Sequence, residues 1–89
     1  MRTSHKAVES AFKLFVETLG GRVATAYNDV GAYRLDYNGV YGGYNIEKVC
    51  TETGGVSNPF GSTRKPAREM FDALHFGRYA LEAIKEKVA

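Results

Sequence analysis

The apolar residues of this chain change their spacing twice, and that double change limits the fold more than any other feature. In HKAVESAFKLFVETL, residues 5–19, Val8, Phe12, Phe15 and Leu19 recur at helical intervals, with Ala11 and Val16 widening the stripe. Thr3 or Ser4 offers a cap, and Gly20-Gly21 a stop. The period then falls to two. Val23, Thr25 and Tyr27 alternate with Arg22, Ala24 and Ala26, and Tyr33, Leu35 and Tyr37 alternate with Arg34 and Asp36. Residues 28–31 read as the turn between these strands. Asn38-Gly39 signals a type I′ hairpin, and a third strand is expected over 40–51, with Tyr44 and Ile46 opposed to Asn45 and Glu47. Gly42-Gly43 inside it marks a bulge or a close backbone approach.

Helical spacing returns with Ala67, Met70, Phe71, Leu74, Leu81, Ile84 and Val88. Pro66 suits the first turn, and Gly77 predicts a kink or close packing. The expected fold is α+β in the order α-β-β-β-α: one domain over 1–89, a three-stranded antiparallel meander with two helices packed on one face. A core this small gains from a partner, and homodimerisation is one source of it. Cys50 is the only cysteine, so an internal disulfide is excluded, and no segment approaches the roughly 20 apolar residues of a membrane span. A cytoplasmic protein without cofactor or membrane association is expected.

The net charge of +2 is small, and it is unevenly placed: residues 23–53 are mildly acidic and both flanking segments basic. GGVSNPFGSTRKPAR, residues 54–68, gathers the glycines and cations into one segment. It does not match a phosphate-binding P-loop, since five residues separate Gly55 and Gly61 and Ser62-Thr63 precede the cations. It reads better as a loop anchored by Phe60 and a helix opening capped by Ser62 or Thr63. Arg64, Lys65 and Arg68 then have no structural task and face an anionic partner. Five of the six tyrosines, Tyr27, Tyr33, Tyr37, Tyr41 and Tyr44, fall within 18 residues on the expected strands. They serve either cross-strand packing or an exposed binding patch. Asp36 and Glu47 fall across the hairpin from each other, but nothing fixes them as a catalytic pair. His5 in the N-terminal tail, His75 beside Leu74 and Phe76, and Cys50 as a small buried hydrophobe are all expected to be structural. No catalytic or metal-ligating set is expected.

Two resemblances follow from these residues. Gly61-Ser62, Arg64-Lys65, Ala67 and Arg68, opening the last helix after three strands, resemble the double-stranded RNA-binding domain. That resemblance implies phosphate contacts from Arg64, Lys65 and Arg68. Tyr41-Gly42-Gly43-Tyr44, Gly54-Gly55-Val56, Phe60-Gly61 and Ala67-Arg68-Glu69-Met70 resemble a pattern in small proteins of tailed bacteriophages, over roughly residues 33–75. It implies a non-enzymatic accessory protein of the anti-CRISPR-like class, acting on a host protein or nucleoprotein machine in the host cytoplasm. On that expectation Arg64, Lys65, Arg68, Tyr33, Tyr37, Tyr41 and Tyr44 meet the partner. Duplex nucleic acid is the alternative partner.

Overall fold

The fold is that of a computed structural model describing residues 3–88, the side chain of Val88 excepted. Arg2, counted in the basic N-terminal segment, and the Val88 side chain, placed on the apolar stripe, lie outside the described residues. The order is α1 (His5–Leu19), β1 (Tyr33–Asn38), β2 (Gly43–Val49), β3 (Val56–Ser57) and α2 (Ala67–Val88). The three strands form an antiparallel sheet in the order β1-β2-β3. The α+β class and the meander are as the changes of period predict.

Helix α1 starts where Ser4 accepts a hydrogen bond from the Ala7 N–H at 3.1 Å. It stops at Gly20, whose φ of 85° lets the Gly20 and Gly21 amides return to the Glu17 and Val16 carbonyls. Helix α2 carries Glu69 in its first turn and Lys85 and Lys87 in its last, complementing the helix dipole. Both helices pack against one sheet face. Val8, Phe12, Phe15 and Val16 of α1 meet Met70 and Leu74 of α2 over Tyr44 and Ile46, with Tyr33 and Leu35 beside them. The helices run in the same direction, since the Lys85 ammonium donates to the Thr18 carbonyl near both C-termini. At about 1.5 Å per residue α2 is roughly 33 Å long and α1 roughly 22 Å. Gly77 is a point of close packing, as anticipated: a Cβ there would lie 2.7 Å from Cε1 of Phe15.

The strand assignment needs correction. Residues 22–29 do not form a ladder strand; Val23 makes only an isolated parallel bridge to Tyr33. The physical cause is Asp29, whose carboxylate takes hydrogen bonds from Arg22 at 2.6 Å and from the Thr25 amide at 3.3 Å. These local bonds turn the segment back on itself and replace strand pairing. The third strand is instead Val56–Ser57, inside the stretch read as loop, where it covers the other edge of β2. The hairpin also differs from a two-residue type I′ turn. Asn38 stays extended, its side chain accepts from the Val40 amide at 3.0 Å, and Gly39–Tyr41 forms a 3-10 turn closed by Gly42 at φ 98°. Tyr41 therefore sits on the turn and not on a strand.

The start of α2 is later than expected. Before the helix, Lys65 pairs with Tyr44 through two backbone hydrogen bonds of 2.8 and 2.9 Å. The helix begins at Ala67, so neither Ser62 nor Thr63 caps it. Gly43 makes this crossing tight: at φ 114°, a Cβ would stand 2.4 Å from the Lys65 carbonyl oxygen. The close approach predicted for Gly42-Gly43 is thus made to Lys65.

Candidate functional site

The hairpin tip projects at the end of the molecule where both helices begin. Val40 is 87% exposed and Tyr41 73%, and neighbouring Tyr37 is 57% exposed. Exposure of single apolar residues is ordinary; three adjoining ones on one projecting turn are not. Their base is rigid. Tyr44, buried beneath them, packs 4.8 Å from the Tyr37 ring and stacks on His5 at 5.6 Å. The Tyr37 ring lies over Gly39, where a Cβ would come within 2.9 Å of its hydroxyl.

His5 is the link between α1 and the sheet. Its Nε2 lies 2.7 Å from a Glu9 carboxylate oxygen, and its Nδ1 lies 2.6 Å from the Tyr44 hydroxyl. Glu9 can only accept, so Nε2 carries the proton and Nδ1 accepts from the Tyr44 O–H. Burial, followed by the neighbouring Tyr37 and Glu9, pushes the Tyr44 phenol above its ordinary value near 10. Tyr44 is therefore held as a neutral donor. The chain carboxylate–imidazole–phenol ends on a buried group that is already bonded, and it fixes the hairpin on α1. A hollow of about 530 Å³ adjoins it, bordered by Ser4, His5, Tyr37, Gly43, Tyr44 and Pro66.

The three cations do not converge. Arg64 donates to Asp36 at 2.5 Å and to the Gly43 carbonyl at 3.0 Å, and its side chain is only 20% exposed. The expectation that Arg64 has no structural task is corrected by these bonds, which clamp the chain before α2 to the sheet. Asp36 lies on the sheet face away from the helices, so Arg64 points there. Lys65, the next residue across the bridge, lines an apolar groove on the helix side with Phe60 and Met70. Arg68 is exposed on α2 and pairs with Asp72 at 3.2 Å. Among the described residues, Lys65 alone of the three has no ion pair.

The tyrosines divide as the two readings allowed. Tyr44 is core and Tyr33 half-buried, packed against the core and over Phe60, while Tyr27, Tyr37 and Tyr41 are exposed. Phe60 anchors its loop edge-on to Phe15 at 5.3 Å, yet half of it remains exposed. Asp36 and Glu47 are no carboxylate pair, because Glu47 takes Arg34 at 2.6 Å and Asp36 takes Arg64. Cys50 is exposed, contrary to the buried hydrophobe expected, since it lies just past the end of β2. His75 packs on Phe71 at 4.4 Å. Among the described residues no three His, Cys, Asp or Glu side chains form a metal-binding group. No helix there is long and apolar enough to cross a membrane.

Sequence reasoning missed His5, Glu9 and Val40 as parts of this surface. Glu9 one turn after His5 was the only available sign, since Tyr44 lies 39 residues away in the chain. Comparison of the chain with known protein families, with curated proteins and with solved structures finds no match.

Proposed function

We propose that this chain is a small binding protein, not an enzyme, that inserts its hairpin tip into a pocket of a host protein or nucleoprotein machine and blocks it in the cytoplasm. The observation that carries the reading is the exposure of Val40 and Tyr41 on a turn whose base is fixed by His5 and Tyr44. Aromatic side chains on a preorganised support lose little freedom on binding, which favours a protein–protein contact. Tyr37 extends the apolar patch, and Arg68 supplies an exposed charge at its rim. The resemblance of residues 33–75 to small tailed-phage proteins supports the choice of a host protein and the anti-CRISPR-like class.

Duplex nucleic acid is the weaker reading, because Arg64 is committed to Asp36 and Lys65 points to another face. The experiment is affinity capture from host lysate with the wild type and with Val40→Asp/Tyr41→Ser, alongside binding of duplex RNA at two salt concentrations. One specific captured protein, lost in the double variant, is the expected result. Equal capture by both would overturn the tip as the contact. RNA affinity that falls steeply with salt would overturn the protein reading.

A further inference from the structure

Helix α2 carries a second seam on the side turned away from the core. Glu69, Ala73, Phe76, Ala80, Ala83 and Lys87 follow one another at alternating steps of four and three residues. That is the spacing of a coiled-coil stripe, running roughly 27 Å along the helix. All six residues are exposed, and Phe76 is 77% exposed. The core side of α2, by contrast, is filled by Met70, Leu74 and Leu81. The intrinsic stability of the fold gives no reason for an exposed Phe in a row of alanines.

From this seam we infer that α2 pairs antiparallel with α2 of a second copy of the chain. The sequence of the seam is self-complementary about residue 78. A two-fold axis there sets Glu69 opposite the partner's Lys87, Ala73 opposite the partner's Ala83, and Phe76 opposite the partner's Ala80. Acid meets base at both ends, and the large ring meets a small residue at the centre on both sides of the axis. Such reciprocity is what an isologous interface requires, and a parallel arrangement would instead set Glu69 against Glu69. The alanines let the two backbones approach closely. Exposed Ile84 flanks the seam beside a groove of about 330 Å³, where Gly77 and Met70 of the partner receive it. On the other rim Asp72 faces the partner's Glu86, a repulsion that Arg68, bonded to Asp72 at 3.2 Å, offsets.

The pairing uses a surface separate from the hairpin tip, so the two proposals fail independently. The test is sedimentation of the full chain over a concentration series up to roughly millimolar. Wild type is expected to shift from monomer to dimer. Ala80→Glu, a substitution at an exposed site, is expected to remain monomeric with unchanged helix content. Glu69→Lys and Lys87→Glu are each expected to weaken the dimer by about tenfold. The double variant carrying both is expected to recover it. A wild type that stays monomeric throughout overturns the inference. So does a dimer insensitive to Ala80→Glu, or a double charge reversal that fails to restore association.

Discussion

The two ends of the molecule expose apolar residues in opposite ways. At the hairpin end Val40 and Tyr41 form a convex tip on a base held by directed bonds: His5 to Tyr44, Arg64 to Asp36, and the Lys65 backbone to Tyr44. At the other end α2 outruns α1 and leaves a concave groove beside Gly77, Ile84 and Phe60. There the chain is held by shape, with the Phe15 ring filling the space a Gly77 side chain would take. The contrast teaches that exposed apolar area alone does not define a partner. A short rigid projection fits a pocket in another protein, while a long straight seam with charged ends fits a helix of matching length.

The largest expected effect should abolish both ends together. Leu74 is fully buried between the helices and the sheet, and Leu74→Ala should cost about 2–5 kcal/mol in chemical denaturation. For so small a domain that is a large share of total stability. A loss well under that range would mean that the two helices are not jointly anchored there. Gly77→Ala separates the ends. The added methyl meets the Phe15 ring and should cost about 1–3 kcal/mol, with amide exchange rising around α2 and not around the hairpin.

Tyr44→Phe probes the opposite end. It removes the bond to His5 and should cost about 0.5–1.5 kcal/mol, with faster exchange confined to the hairpin and the first turn of α1. Its pH dependence has a definite sign. The folded phenol is raised, so its contribution is present below pH 10 and declines as pH climbs past the unfolded value towards the folded one. The variant should lack this alkaline decline, which denaturation at two pH values would detect. The smallest effect lies outside both ends. The Arg22 guanidinium, with the Thr25 amide, holds Asp29 below the usual carboxylate value of 3.8. Its contribution is present above that value and fades as pH falls through the lowered one. Amide resonances of residues 22–32 should therefore shift in acid while those of the hairpin stay put; a coincident change in both would show that the loop is not a separate unit.

The legible part of this protein is its periodicity. Spacing of 3.6 and then 2 placed both helices, the inward face of Tyr33, Leu35, Tyr44 and Ile46, and the special demands on Gly20, Gly43 and Gly77. Such patterns are visible in the sequence because burial of one face imposes them locally. The tertiary structure decided what depends on encounters across the chain. Residues 22–29 alternate like a strand, yet Asp29 turned them into a loop, and the short Val56–Ser57 took the third place in the sheet. Three cations that read as one basic patch were sent to three faces, because adjacent residues in an extended bridge point oppositely and Arg64 found Asp36 28 residues away. His5 met Tyr44 only because parallel helices bring both N-termini beside the hairpin. Local sequence sets which faces are apolar; the partners of its polar groups are fixed only when distant segments meet.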